Sequence, residues 1–482
     1  MLISRDHPLL RNRGVTLGLA WAVWAVVATW LVYLLLQTGH PWDESEHAHV
    51  AWLISQGKRP LTDFFQHHQP LLWSLLTPYY RLGFQGAGVL LWGRVLVVCC
   101  ALIAVFSLRR LGHWLGIALF IFLTLEIPEL FVVRPETLSA ALILAALAIW
   151  FGPSTSNVLC ALAGMAAGAA VYASPRFAVM GGFFILLGRQ TATRWACLCA
   201  GAALFVALYT VLADYPLSQV VFNTEFSAHL QTIGDHEAGW TLYLWVQVLL
   251  CTCGPLVMLV AAVARQHRGR AALLVAYALV VFLMCAQLAG RFRYPQAWAP
   301  FVVSGPIVAA WIVRRIEWPP KTVGFVGLGA AIVLAVMGLA NLPPLSVQMQ
   351  PLDLLTWIKA RNELAASLPP REAVLLSTMR SPITAPDISY YGSPLWDGRD
   401  RLCTAVRTFN TTQPLPPCDF FAELEKHPYL TEPEIWRAVP LKKFKDVTSL
   451  LQSDYHPKLM DLRLFIVDVR RPRVPGTTAP GH

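Results

Sequence analysis

The sequence predicts an all-α polytopic membrane bundle of about eleven transmembrane helices, followed by a soluble α/β domain. Three observations carry that prediction. Of 482 residues, 56% are hydrophobic and only 14% are charged, a balance outside the soluble range. Apolar runs near or above the ~18 residues needed to cross ~30 Å of hydrocarbon recur from Val15 to Asn341. After Pro343-Pro344 the sequence turns to mixed charge and frequent turn residues. No alternating pattern of the kind a barrel requires accompanies the apolar runs.

The spans fall at about 15–36, 88–108, 114–127, 137–151, 158–172, 177–188, 195–213, 240–263, 271–289, 297–313 and 323–341. The first is too long for a signal-peptide core and lacks a small-residue cleavage site, so it reads as an anchor. Several are shorter than a full crossing, and the pair around Tyr172-Ala173-Ser174-Pro175-Arg176 reads as broken or obliquely packed helices that line a cavity. Residues 1–344 then form the membrane domain, with an outer-face loop at 37–87, and residues 345–482 form the soluble domain. In the latter, helices are expected near Leu352–Ser367, Phe420–His427, Glu432–Val439 and Val447–Asp454, and strands at Ala373–Ser377 and Arg463–Val469. The terminal PRVPGTTAPGH reads as a disordered tail.

Most of the net charge of +10 belongs to the membrane part, where 21 Lys and Arg face 13 Asp and Glu before Leu345, against 17 and 15 after it. With the N-terminus in the cytoplasm, thirteen basic residues lie inside. Seven lie outside: Lys58, Arg59, Arg81, Arg134, Arg176, Arg291 and Arg293. The positive-inside rule favours that orientation, and the basic excess needs no nucleic-acid partner. The plasma (inner) membrane is the expected location, with the 37–87 loop and the C-terminal domain on the outer side. Eight of ten cysteines lie in or beside apolar segments and read as packing residues; only Cys403 and Cys418 sit in polar sequence, where a disulfide is an open alternative.

One stretch stands apart. Trp42 to Trp73, WDESEHAHVAWLISQGKRPLTDFFQHHQPLLW, places Asp43, Glu44, Glu46, Asp63 and His47, His49, His67 and His68 directly behind the first span. Asp43 to Gln56 has helical composition, with Asp43, Glu46, His47 and Val50 on one face, Gly57 at the helix end, and Pro60 and Asp63 in a turn before a more apolar segment beginning near Phe64. Two readings fit: an amphipathic interfacial helix whose charges are solvated, or one wall of a reaction site. The four histidines also allow a zinc site across the hairpin. No required cofactor is visible, and a divalent metal is compatible with the carboxylates.

The order Asp43-Glu44, Glu46, His47, Gly57, Pro60, Asp63 and His68-Gln69-Pro70 resembles the first outer loop of GT-C glycosyltransferases. The similarity is to the branch of protein O-mannosyltransferases and the lipid A aminoarabinose transferase, which draw on polyprenyl phosphate sugars. The resemblance implies a catalytic membrane domain and inverting sugar transfer on the outer face. Asp43 would be the general base, and Glu44 or Glu46 would orient it or bind a sugar hydroxyl. His68-Gln69-Pro70 departs from the family's usual Lys before the prolines. The leaving phosphate calls for cationic donors, for which Arg291 and Arg293 come first, then Arg176, then Lys58 or Arg59, with His68 as a substitute for the lysine. Glu136, beside Arg134, is expected to bind the acceptor or help Asp43 hold a metal, or simply to pair with Arg134. Asp63 and His67 are further candidates for acceptor or sugar contacts. Arg94, inside a span, is expected to face a protein interior.

The outer loop from Asp214 to Trp240 carries Asp214, Glu225, His229, Asp235, His236 and Glu237 without Lys or Arg, and reads as a solvated loop, with a lid or a metal-assisted acceptor site as the alternatives. Partners on the leading reading are a polyprenyl phosphate sugar donor, a glycan, lipid or protein acceptor, and membrane lipids. The alternatives are a transporter or flippase of a lipid-linked saccharide, suggested by Arg94 and the broken 158–188 region, and a noncatalytic assembly subunit.

Overall fold

In a computed structural model of the chain, the structure describes residues 13–36, 41–60, 64, 66–84, 88–111, 114–126, 132–152, 156–186, 188 and 190–232; beyond these it describes 275, 303–307, 408–409 and three short strands. The chain divides into two compact units. One comprises Met1–Gln37, Arg94–Val220 and His236–Pro343; the other comprises Thr38–Gly93, Val221–Asp235 and Pro344–His482.

The helices in chain order are α1 (Arg13–Leu36), α2 (Pro41–Ser55), α3 (Leu71–Arg81), α4 (Gly88–Leu111), α5 (Trp114–Glu126), α6 (Pro135–Trp150), α7 (Asn157–Ala173), α8 (Pro175–Leu186), α9 (Ala192–Ala213) and α10 (Leu217–Thr232). Among the described residues, α4 and α9 are long and apolar enough to cross a membrane, and Trp24–Leu35, α6, α7 and α8 are shorter apolar helices. The spans expected at 240–263 and 323–341 lie outside the described residues.

In the first unit, α6 packs on α7 and α8, and α7 packs on α9. The α7 and α9 backbones come together because the contact is lined by glycine. A methyl group on Gly164 would land on the carbonyl of Leu198, and one on Gly201 would land on the carbonyl of Ala161. Without a hydrophobic force between helices in lipid, such close approach supplies the dispersion contacts that hold them.

Proline sets the helix starts. The residue before Pro175 is pushed out of the helical region, and Ser174 is extended at φ −156° and ψ 107°, so α7 stops at Ala173 and α8 begins at Pro175. The expected break is therefore present. Ser139 of α6 supports it, with its hydroxyl 2.9 Å from the Ala170 carbonyl and 3.1 Å from that of Ser174. Arg134 is likewise extended before Pro135, which opens α6. Ser156 and Thr191 cap α7 and α9 by accepting from the backbone N–H groups of Leu159 and Arg194.

In the second unit, α2 packs on α3 around a core of Val50, Leu53, Phe64 and Trp73. Gly57 closes α2 as expected. Its φ of +81° lets its N–H reach the Ile54 carbonyl at 3.0 Å while Lys58 N–H reaches the Leu53 carbonyl at 3.1 Å, a Schellman ending. Three sequence expectations are corrected here. The segment after the turn becomes helical at Leu71 rather than Phe64, which instead bridges Pro60. Residues 217–232 are helix α10, neither loop nor lid, because Phe222, Asn223, Phe226 and Leu230 recur at helical spacing and are buried. Arg437–Ala438, expected to be helical, forms strand β2 because it pairs with Ile466 and Phe465. The strands β1 (Ala373–Ser377) and β3 (Leu464–Asp468) match the expected positions, and the three form an antiparallel sheet in the order β1-β3-β2. The helices expected near Leu352–Ser367, Phe420–His427 and Val447–Asp454 lie outside the described residues, as do Cys403 and Cys418.

Gly201→Ala is expected to lower stability by about 1–3 kcal/mol through backbone overpacking, read as a lower thermal-unfolding midpoint of the protein in detergent. Gly182→Ala, where a methyl group meets nothing within 4 Å, is the matched control and should leave the midpoint unchanged.

Candidate active site

Helix α2 carries the carboxylates. From Glu46 to Ala51 every residue is buried, and Glu44 and Glu46 are each 2% exposed. The solvated amphipathic helix is thereby overturned: burial runs around the helix from Glu46 to Ala51, and Glu44, Glu46, His47 and His49 are enclosed by protein. Burying a carboxylate costs free energy unless donors reach it. Glu46 has them.

The Gln66 side-chain amide donates to Glu46 Oε1 at 2.8 Å, while its own oxygen accepts from the backbone N–H groups of His67 at 2.8 Å and His68 at 3.1 Å. Three contacts therefore fix which end of that amide is which. His68 brings Nε2 to 3.6 Å from the same Glu46 oxygen. Around this pair, His47 and His68 meet edge to face at 5.2 Å, and His67 lies 4.4 Å from His68. Trp73 of α3 donates to His47 Nδ1 at 3.1 Å, so His47 accepts there and carries its proton on Nε2.

The His67–Gln69 backbone is held from its other side by α10. Asn223 donates to the His68 carbonyl at 2.9 Å, Ser227 donates to the His67 carbonyl at 3.2 Å, and Gln69 donates to Thr224 at 3.2 Å. Tyr80 of α3 donates to the Ala48 carbonyl at 3.2 Å. Burial first, and the neighbouring Tyr79 second, push its phenol well above the ordinary value, so it remains a donor at neutral pH.

A second ionic group lies in the first unit. Glu136, second residue of α6, takes Arg134 Nε on one oxygen at 3.3 Å and Arg176 on the other at 3.4 Å. Both arginines owe their places to the Pro-started helices: Arg134 precedes Pro135, and Arg176 follows Pro175. Arg134 and Glu136 are buried while Arg176 is part-exposed, so Arg176 is the more accessible of the two arginines on this carboxylate.

The structure thus brings Glu46, His47, His67 and His68 together and joins Glu136 to Arg134 and Arg176. Lys58 and Arg59 are exposed on the turn after α2. Arg94 is buried, as expected for a cation inside a span. Asp43 lies on α2 one turn before Glu46; its side chain, Asp63, Arg291 and Arg293 lie outside the described residues. Among the described residues, no three His, Cys, Asp or Glu side chains converge as a metal ion requires. Gln66, Asn223 and Ser227 were missed by sequence reasoning, since an uncharged amide or hydroxyl carries no signal until a partner is known.

The fold has a counterpart among solved structures. The chain is similar, over 96% of its length and 99% of the other chain, to the crystal structure of ArnT from Cupriavidus metallidurans bound to undecaprenyl phosphate, at 15% sequence identity and a TM-score of 0.50. No protein-family model and no curated protein sequence matches the chain.

Two substitutions test the ionic contacts. Gln66→Glu removes the donor to Glu46 and sets a second carboxylate against it, and should cost at least about 1–3 kcal/mol of stability, measured by chemical unfolding in detergent. Glu136→Gln leaves two arginines facing a neutral amide and should cost about 3–5 kcal/mol by the same measurement.

Proposed function

We propose that the chain is an integral-membrane inverting glycosyltransferase that moves a sugar from a polyprenyl phosphate donor to a glycan, lipid or protein acceptor on the outer face of the membrane. The observation that carries this reading is the near full-length likeness in fold to a protein solved with undecaprenyl phosphate. The concentration of buried carboxylates on α2, directly after the first apolar helix, supports it independently. The protein resides in the plasma (inner) membrane with its N-terminus cytoplasmic. Residues 1–344 carry catalysis, and residues 345–482 face outside and contribute to acceptor recognition.

In the reaction, an acceptor hydroxyl oxygen attacks the anomeric carbon, the bond from that carbon to the phosphate oxygen breaks, and polyprenyl phosphate leaves. The hydroxyl proton passes to the Asp43 carboxylate, a contribution of roughly 10²–10⁴ in rate. Glu46, tied to Gln66 and His68, orients the loop rather than taking the proton, and Glu44 supports α2 beside it. The leaving phosphate needs no acid, only cations. Arg176 is the accessible cation of the Arg134–Glu136–Arg176 group, and guanidinium geometry matches phosphate oxygens two at a time. Arg291 and Arg293 complete this role, with Lys58 and Arg59 as weaker, peripheral cations. His68 is assigned to the donor side through its ring and His67 and Asp63 to the acceptor or sugar. Glu136 acts by holding Arg176 in place.

Purified protein supplied with a polyprenyl phosphate sugar and a panel of glycan, lipid and peptide acceptors should form a covalent glycoside. Substrate flux in sealed vesicles without covalent product would replace this reading with a flippase. Asp43→Asn should reduce transfer roughly 10²–10⁴-fold with unchanged unfolding behaviour. Full activity in the folded variant removes Asp43 as the base.

A further inference from the structure

Helix α10 presents two adjoining faces to different parts of the second unit. On one, Asn223 and Ser227, one turn apart, donate to the carbonyls of His68 and His67. On the other, Phe222, Phe226 and His229 receive Phe409, with ring centroids at 5.7, 5.3 and 5.3 Å. His229 Nε2 also lies 2.8 Å from the Thr408 hydroxyl. Residues 408–409 come from far along the chain, beyond Pro344, so two sequence-distant segments, 67–68 and 408–409, meet on one helix.

We propose that Asn223 and Ser227 are positioning residues for the transfer site, and that the Thr408–Phe409 segment sets the placement of α10 and through it the His67–His68 segment. This rests on the transferase reading for its catalytic consequence, but the physical clamp is independent of it. A peptide segment with no helix or strand of its own has few ways to fix its carbonyls. Here two consecutive carbonyls are taken by one helix, while the two N–H groups are taken by Gln66 from the Glu46 side. The segment is gripped on both edges. Removing one edge frees the His68 ring relative to Glu46, and a displacement of about 1 Å in a catalytic group can cost on the order of 10²-fold in rate. Asn223 is 0% exposed, so its donor is committed inside the protein, and the Phe409 contact is aromatic packing that a single substitution deletes.

The test uses the full chain in lipid nanodiscs and reads amide hydrogen exchange alongside transfer kinetics. Asn223→Asp keeps the shape and removes the donor; Ser227→Ala removes the second; Phe409→Ala and Phe409→Leu remove or partly restore the clasp. Exchange at the His67 and His68 amides should quicken roughly tenfold in Asn223→Asp, Ser227→Ala and Phe409→Ala, with the helix 157–173 unchanged and Phe409→Leu intermediate. Transfer should lose roughly 10- to 100-fold in kcat with donor KM within about threefold, since a misplaced loop binds the lipid but reacts poorly. Wild-type exchange at His67 and His68 in Ser227→Ala and Phe409→Leu would overturn the clamp, including where Asn223→Asp or Phe409→Ala loosens the whole protein. Altered exchange together with an inactive wild-type protein would overturn the transferase reading and leave the clamp standing.

Discussion

The second unit depends on how one buried carboxylate is supplied with donors. Glu46 is enclosed on a helix whose neighbours are also buried, and an amide from twenty residues further on reaches it. Because Gln66 spends its oxygen on the next two backbone N–H groups, the same side chain that neutralises the cost of burying Glu46 also folds the His67–His68 segment beside it. Placement of the histidines is thus a consequence of satisfying Glu46. α3 then locks the other side, with Trp73 on His47 and Tyr80 on the α2 backbone.

In the first unit the corresponding constraint is backbone geometry. A residue before proline is excluded from the helical region, so each Pro-started helix throws its preceding residue into an extended conformation and exposes the first turn of N–H groups. Two such starts, at Pro135 and Pro175, put Glu136 in one first turn and Arg176 in the other, with Arg134 just outside the first. A carboxylate in a helix's first turn is also favoured by the macrodipole. The resulting Arg134–Glu136–Arg176 group joins two helix starts through one carboxylate.

Much of this was legible in the sequence, for local reasons. The helix over 41–55, its glycine ending, the break at Ser174-Pro175 and the strands at 373–377 and 464–468 each follow from short-range chemistry. What was not legible depends on partners distant in sequence. Residues 217–232 read as a loop because LSQVVFNTEFSAHLQT dilutes its apolar stripe with amides and hydroxyls, and those residues turn out to serve as donors to the 67–69 segment. Arg437–Ala438 has no strand pattern of its own and is extended only because β3 offers a ladder. The charges of α2 could equally have been wet, and only the packing of α3 and the 64–70 segment decides that they are not.

The contacts of Glu46 bear on which carboxylate of α2 can act as the base in the proposed reaction. A general base must be free to accept a proton from an incoming hydroxyl, and its oxygens must reach the substrate. Glu46 already has one oxygen engaged by Gln66 and approached by His68, so protonating it would weaken the contact that shapes the loop. A base in that position would loosen its own site at each turnover. Position 43 lies one helical turn toward the start of the same helix, away from the α2 ending at Gly57. On the proposed transferase reading the labour divides, with Glu46 building the wall and Asp43 taking the proton. On that proposal, acidic residues of one helix respond unequally to loss of charge: Glu46, whose oxygen shapes the 66–68 segment, chiefly in folding, and Asp43 chiefly in rate.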